Sequence, residues 1–174
     1  INTAWANLYG IVSQANVLLS RIDDVTFADD NLKQRYIGEV KFLRAFSHFH
    51  LVRLFGEIPL HTVEVTTPQE AFTDGKKATL EEVYAVIVQD LKDASQVLPN
   101  SYDSSNKGRV TKGAALTMLG DVYLTRKQYA EAVTTLEQVT QLGYSLMDNY
   151  GDCFNPNSKN NAESVFEVQY DQSI

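Results

Sequence analysis

The sequence has a single cysteine, Cys153, which excludes an internal disulfide, although a chain of 174 residues can bury enough apolar surface to fold without one. No stretch approaches the roughly 18 consecutive apolar residues that a transmembrane helix needs. No run of Lys or Arg is present, and the formal net charge of −7 argues against a nucleic-acid partner, because phosphates favour a basic surface. These absences favour an ordinary globular protein whose partner is an uncharged ligand or another protein.

Motifs for catalysis and cofactor binding are also missing. The sequence has no Gly-rich phosphate loop, no Cys–His pair, no G-x-S-x-G turn and no HExxH helix. His48 and His50 are two residues apart and point to different sides of a helix, so they cannot form the i, i+4 pair that binds zinc. The 22 acidic residues do not single out a glycosidase pair by spacing. We therefore predict no enzyme activity, no cofactor and no metal site; a helical hydrolase with dispersed carboxylates is the less favoured alternative.

A long helix over residues 32–55 is the strongest pattern in the chain. Its apolar residues recur at three- and four-residue steps over more than one narrow stripe, which is typical of a buried central helix. They include Phe42, Phe46 and Phe49. Three polar residues share one edge of this helix, which we predict to face water: Lys41, Arg44 and His48. Gly56 and Pro59 provide the expected end of the helix.

Four further helices are predicted, over about residues 2–22, 79–98, 111–125 and 128–141. Asn16 lies beside the apolar face of the first, so its amide must find an inter-helix or backbone hydrogen bond. Thr79 and Glu82 form a capping box at the start of the second, over residues 79–98. Residues 66–78 are expected to be a polar loop. The period-two alternation of residues 164–170 predicts a strand.

The last two helices resemble a tetratricopeptide hairpin. Gly120 and Ala132 are small where two helices would approach closely, and larger apolar residues surround them: Leu116, Leu119, Tyr123 and Leu136. Because one hairpin cannot bury both of its faces, the helices should stack. We predict one predominantly all-α domain over residues 1–174, an irregular right-handed stack of tetratricopeptide-like hairpins with a short strand near its C-terminal end.

Two loop tyrosines are candidate sugar-binding residues. Sugar recognition uses aromatic planes that stack on pyranose rings and polar neighbours that bind hydroxyls. Tyr102 stands beside Asp103 and Asn106, and Tyr150 stands beside Asn149 and Asp152. The alternative is that both rings pack back on the helices. Apart from these two, ligand-binding residues are not identified by the sequence.

The run from Gly38 to Leu60, GEVKFLRAFSHFHLVRLFGEIPL, resembles the signature of the SusD/RagB family, the surface glycan-binding lipoproteins of Bacteroidetes nutrient-uptake systems. Its FLRAF and FGEIPL elements are more specific than a generic buried helix. The segments GRVTKGAA, YSLMDNYGDCF and ESVFEVQY are similar to the same family. The resemblance covers essentially the whole chain, which we interpret as an internal fragment.

This resemblance implies a non-catalytic role outside the outer membrane. The protein would bind an oligosaccharide and deliver it to a TonB-dependent, SusC-like transporter, and it would meet the membrane only through a lipid anchor outside this fragment. A cytoplasmic tetratricopeptide adaptor that binds a peptide or protein in its groove is the alternative.

Overall fold

The computed structural model describes residues 2–73 and 76–169. These residues form six α-helices: α1 (Asn2–Arg21), α2 (Asp30–Phe55), α3 (Pro68–Thr73), α4 (Leu80–Val97), α5 (Lys112–Thr125) and α6 (Tyr129–Thr140). They also form three short 3-10 helices: Ile22–Asp24, Ser104–Asn106 and Tyr150–Phe154. None of the helices in these ranges is both long enough and apolar enough to cross a membrane.

The predominantly helical fold class is confirmed. The five helices expected from sequence begin and end within two residues of the observed α1, α2, α4, α5 and α6. The capping box at α4 is present, because the Thr79 N–H donates to Glu82 at 2.8 Å and the Glu82 N–H donates to the Thr79 hydroxyl at 3.3 Å. Helix α3 was expected to be loop; its proline occupies the first helical position, where proline is favoured.

The predicted strand over residues 164–170 is wrong for the residues that can be compared. Residues 164–169 have no strand conformation, and Tyr170 lies outside the described residues. A strand needs a neighbouring strand to receive its backbone hydrogen bonds. No strand forms elsewhere in residues 2–73 and 76–169, so this alternating segment has nothing to pair with there. Val168 in this segment is 65% exposed.

The chain divides into two compact units, residues 1–97 and residues 98–174. That the whole chain forms one domain stays a prediction. In the first unit, α2 packs against both α1 and α4. Phe42 and Phe49 are buried on α2, at 3% and 2% exposure. Phe46 is half-buried, and its ring lies 6.3 Å from that of Phe42 and 4.4 Å from the ring of His50.

The second unit is organised around the contact between α5 and α6. A Cβ atom on Gly120 would lie 2.4 Å from Cδ2 of Leu136, closer than any carbon contact tolerates. Ala132 is 1% exposed in the same hairpin. The absence of a side chain at Gly120 therefore allows the Leu136 side chain to fill the contact between the two helices.

We predict that Gly120→Ala lowers the free energy of unfolding by up to about 2 kcal/mol, because overpacking against Leu136 costs about 1–3 kcal/mol and the gain in helix propensity offsets about 0.5–1 kcal/mol of it. Urea unfolding followed by far-UV circular dichroism measures the change. Gly10→Ala is the matched control, since a Cβ at Gly10 in α1 meets nothing within 4 Å. Helix propensity predicts that the control is stabilised by roughly 0.5–1 kcal/mol. Equal effects of the two substitutions would contradict the packing argument.

Candidate functional site

The first concentration of polar groups lies inside the first unit, where the sequence predicted a solvent-facing edge of α2. That prediction is wrong, because Arg44 is 7% exposed and His48 is fully buried. Arg44 donates two hydrogen bonds of 2.8 Å to the two carboxylate oxygens of Asp90 on α4. Only Lys41 keeps partial exposure, in an ion pair of 2.5 Å with Asp93.

Further bonds complete this buried network. A third Arg44 nitrogen, Nη1, donates to Oδ1 of Asn16 at 2.8 Å and to the carbonyl of Thr62 at 2.9 Å. Asn16, which is 1% exposed, donates in turn to the carbonyl of His61 at 3.0 Å. The hydrogen bond predicted for the Asn16 amide is therefore confirmed. The network joins α1, α2, α4 and the irregular segment 59–64, and its burial gives it a structural role.

His48 sits beside the same network and is chemically different. Neither ring nitrogen has a hydrogen-bond partner among the described residues. The pKa of His48 is lowered from 6.5 to about 4, chiefly by burial and in smaller part by the positive charge of Arg44 and by the neighbouring His61. The imidazole is therefore neutral near pH 7 and is closed off from any ligand.

The second concentration of polar groups is a cleft in the second unit, formed by residues 100–111, Tyr144 and residues 160–167. Its volume is about 180 Å³. Three aromatic side chains line it: Tyr102, Tyr144 and Phe166. Asn100, Ser101, Asn160 and Ser164 contribute amides and hydroxyls. Sites for drug-sized ligands usually measure roughly 300–1,000 Å³, so this cleft is too small for a whole oligosaccharide. We therefore expect it to take one sugar ring of a longer chain.

One wall of the cleft is a loop held by its own hydrogen bonds. Oδ1 of Asp103 accepts the N–H groups of Ser105 and Asn106, both at 3.0 Å, at the start of a 3-10 helix. The Ser105 hydroxyl and the Asn106 donors hold the pKa of the Asp103 carboxyl below its usual value. Asp103 and Asn106 therefore shape the loop in this structure, instead of offering the polar groups that the sequence suggested beside Tyr102.

Tyr102 lies in the cleft and is half-buried. Its hydroxyl donates to the carbonyl of Val110 at 3.0 Å and so closes the loop on itself. The ring is held in a fixed position by this bond, as preorganised recognition requires. Gly108 lies between the two ends of the loop with φ +93°, a conformation that side-chain-bearing residues rarely adopt.

Tyr144 and Asn160 hold the other side. The hydroxyl of Tyr144 lies 3.4 Å from the hydroxyl of Thr111, the N-cap of α5. The N–H of Asn160 donates to Oε1 of Glu167 at 2.9 Å. The amides of Asn160 and Gln169 exchange hydrogen bonds of 3.0 and 3.2 Å. The cleft walls are thus fixed by side-chain bonds without regular secondary structure.

Tyr150 lies outside the cleft lining, on the 3-10 helix Tyr150–Phe154. Its side chain is 76% exposed, and that of Phe154 is 71% exposed. The two ring centroids are 5.2 Å apart, with planes at 70°. Asn149 fixes the start of this helix by accepting the N–H of Gly151 at 3.0 Å. Tyr150 and Phe154 form an exposed aromatic pair, which gives a second surface suited to stacking.

Sequence reasoning named Tyr102 and Tyr150 and missed their neighbours. The four-residue spacing of Tyr150 and Phe154 in YGDCF is a signal that could have indicated the aromatic pair. Nothing local joins Tyr144 or Phe166 to Tyr102, since about 40 to 60 residues separate them. Among residues 2–73 and 76–169, no group of three or more His, Cys, Asp and Glu is placed to hold a metal ion.

Comparisons with known proteins find the same family over most of the chain. A family model described as SusD-like, starch-binding associating with outer membrane, matches residues 1–124. A SusD-like protein of Formosa agariphila is 27% identical over 175 residues, which are 100% of this chain and 33% of that protein. The starch-binding protein SusD of Bacteroides thetaiotaomicron is 27% identical over 169 residues, 90% of this chain and 28% of that protein.

Solved structures show the same similarity. A SusD-like protein of Bacteroides fragilis superposes with a TM-score of 0.91 and 34% identity, over 99% of this chain and 34% of that one. A laminarin-binding SusD-like protein superposes with a TM-score of 0.89 and 36% identity, over 95% of this chain and 37% of that one. The chain thus spans about a third of the length of the relatives that it matches.

Proposed function

The chain belongs to the SusD-like family of starch-binding proteins that associate with the outer membrane, and on that premise we propose that it binds an oligosaccharide without chemically changing it. The observation that carries the proposal is the cleft of the second unit, which is lined by the rings of Tyr102, Tyr144 and Phe166 and by the side chains of Asn100 and Asn160. Aromatic planes beside amides are the surroundings that a pyranose ring requires. The similarity to a laminarin-binding protein and to a starch-binding protein supports the same ligand class.

The proposal extends to location and delivery. The protein works at the outer face of the outer membrane, held by a lipid anchor outside the present chain, and passes its oligosaccharide to a TonB-dependent, SusC-like transporter. Family membership is the support for this part. Affinity purification of the intact protein from membranes, with mass spectrometry of the proteins that co-purify, tests whether such a transporter is its partner. Recovery without a TonB-dependent transporter would contradict delivery but not glycan binding.

The cytoplasmic tetratricopeptide adaptor is not proposed. Its support is the close α5–α6 contact at Gly120, and a helical hairpin is a scaffold that serves many functions. The cleft offers a small set of fixed polar groups and rings, whereas a peptide adaptor uses an extended concave groove.

Tyr102→Ala is expected to weaken glycan binding about tenfold. Stacking a sugar on one ring face covers roughly a third of the 150–250 Å² that an aromatic side chain can bury, which is about 1.5 kcal/mol at 25 cal/mol per Å². Isothermal titration of the intact protein with an oligosaccharide found on a glycan array measures the affinity. Tyr102→Phe is the matched control; it keeps the ring and removes only the bond to Val110. An unchanged affinity in Tyr102→Ala would remove Tyr102 from the site.

Tyr150→Ala tests the exposed aromatic pair separately. We expect a similar loss if a longer oligosaccharide reaches from the cleft to this pair, and no loss with a monosaccharide or disaccharide, which is too short. Tyr129→Ala is the control, because Tyr129 is 60% exposed in the same unit and lies on α6. Equal affinity of Tyr150→Ala and Tyr129→Ala for every chain length would exclude Tyr150 from recognition.

A further inference from the structure

The charge around the cleft differs in sign from that of the whole chain. Residues 100–112 contain three basic residues, Lys107, Arg109 and Lys112, and one acidic residue, Asp103, so this segment carries 3 − 1 = +2. The formal charge of the protein is −7. Two of the basic residues, Lys107 and Arg109, line the cleft itself, and both are exposed. A local cationic group in an acidic protein attracts an anion to that one place.

The acidic groups near the cleft are held by the protein's own hydrogen bonds. Glu167 is the one carboxylate in the described lining, and its Oε1 accepts the backbone N–H of Asn160 at 2.9 Å. Asp103 accepts two backbone N–H groups of its own loop, at 3.0 Å each. The charged residues of the lining, Lys107, Arg109 and Glu167, sum to 2 − 1 = +1. Among the described residues of the lining, basic side chains therefore outnumber carboxylates by one.

The aromatic lining places these cations beside a sugar site. Tyr102, Tyr144 and Phe166 provide ring faces in a space of about 180 Å³, so a pyranose held there is close to the Lys107 and Arg109 side chains at the cleft wall. A guanidinium presents a planar fork of donors that matches a carboxylate or a sulfate ester, and an ammonium adds a point charge. A neutral sugar can accept hydrogen bonds from both groups, but it has no negative charge to pair with either of them.

We propose that the sugar bound in this cleft is anionic, a uronic acid or a sulfated sugar whose charged group is held by Lys107 and Arg109. The proposal rests on the proposed function and narrows its ligand class. It differs from the uncharged ligand that the charge of the whole chain favours. The carboxylate and the sulfate ester are the two sources of the negative charge, and the experiment treats them as separate arms.

Isothermal titration of the intact protein with matched pairs of oligosaccharides tests the proposal. One arm compares an oligogalacturonide with the same chain after its carboxyl groups are reduced to alcohols. The other compares a sulfated oligosaccharide with its desulfated form. In at least one arm the anionic member should bind about tenfold or more tightly, and the preference should shrink between low and high salt because exposed charge pairs are screened.

Lys107→Gln and Arg109→Gln should each weaken binding of the anionic oligosaccharide several-fold, and the double variant should remove the preference over the neutral form. Lys127→Gln is the matched control, because Lys127 is exposed in the same unit and does not line the cleft. Circular dichroism spectra of the variants establish that they are folded.

Three results overturn the proposal in distinguishable ways. Equal affinity for neutral and anionic members of both pairs overturns the charge preference and leaves oligosaccharide binding intact. A preference for the anionic member that survives in the Lys107→Gln, Arg109→Gln double variant places the charge recognition elsewhere. Failure of any oligosaccharide to bind contradicts the proposed function and, with it, the narrower ligand class.

Discussion

Asp90→Asn is expected to remove about 3–5 kcal/mol of stability from the first unit, the largest loss that we predict for a single substitution. The side chains of Arg44 and Asp90 are only 9% and 4% exposed. Removal of the carboxylate charge leaves the Arg44 guanidinium buried without its counter-charge, and water cannot reach it to compensate. Asn16 and Thr62 keep their bonds to Arg44, but both are neutral acceptors.

Tryptophan fluorescence during urea unfolding measures this loss. Trp5 is the single tryptophan of the chain, and its ring packs 4.7 Å from Tyr9 and 4.8 Å from Phe55 in the first unit. Its emission therefore reports the unfolding of residues 1–97. Arg21→Gln is the matched control; it breaks the exposed ion pair with Glu64 and should leave the transition unchanged.

A double substitution separates the ion pair from its packing. Arg44→Met with Asp90→Leu replaces both charges by apolar side chains, and it should recover most of the stability that Asp90→Asn loses. The reason is that the loss comes from one unpaired buried charge. If the single variant is as stable as the wild type, the pair is open to water and the burial argument fails.

The second large effect is an acid-induced loss of stability caused by His48. Folding lowers the pKa of this imidazole from 6.5 to about 4, so the unfolded chain binds the proton more tightly than the folded chain does. The stability that the folded protein has with His48 neutral is fully present above pH 6.5, and it is lost as the pH falls from 6.5 towards 4. A difference of about 2.5 pKa units corresponds to about 3 kcal/mol.

The comparison of wild type with His48→Leu isolates this effect from other titrations. Hydrogen bonds lower the pKa values of carboxyl groups such as those of Glu82 and Asp103. Protonation of these groups lowers the free energy of unfolding of both proteins equally, so it cancels when the two proteins are compared. At pH 7 the variant should be as stable as the wild type or more stable, because neither ring nitrogen of His48 has a partner in the described residues. Parallel stability curves of the two proteins from pH 7 to pH 4 would contradict the prediction.

In α2, the hydrophobic periodicity predicted the helix correctly but did not predict which polar side chains are buried. Apolar residues at three- and four-residue steps identified the helix correctly, and Phe42 and Phe49 are buried. The same reasoning assigned Arg44 and His48 to water because they are polar. In the structure they are among the most buried polar side chains, whereas Leu43 and Leu54 on the same helix are 40% and 63% exposed. Which polar residue can be buried depends on its partners, and Asp90 lies 46 residues away from Arg44.

Part of the candidate site could likewise be predicted from the sequence, and part could not. Single loop tyrosines could be selected because sugar recognition uses aromatic rings with polar neighbours, and Tyr102 lies in the cleft. The neighbours of Tyr102 could not be selected, since Tyr144 and Phe166 reach it only through folding. The net charge of −7 sums over the whole chain, so it did not indicate that Lys107 and Arg109 line the cleft.

The sequence by itself determined the five longer helices, the capping box of α4 and the small residue at the α5–α6 contact, because each of these depends on residues within about one or two turns of one another or on the volume of one side chain. Tertiary structure alone decided which polar edge of α2 is buried, which rings share a cleft and whether residues 164–169 become a strand. Each of these depends on a partner distant in sequence. A buried charge needs an opposite charge, a cleft needs two walls, and a strand needs a neighbour for its backbone hydrogen bonds.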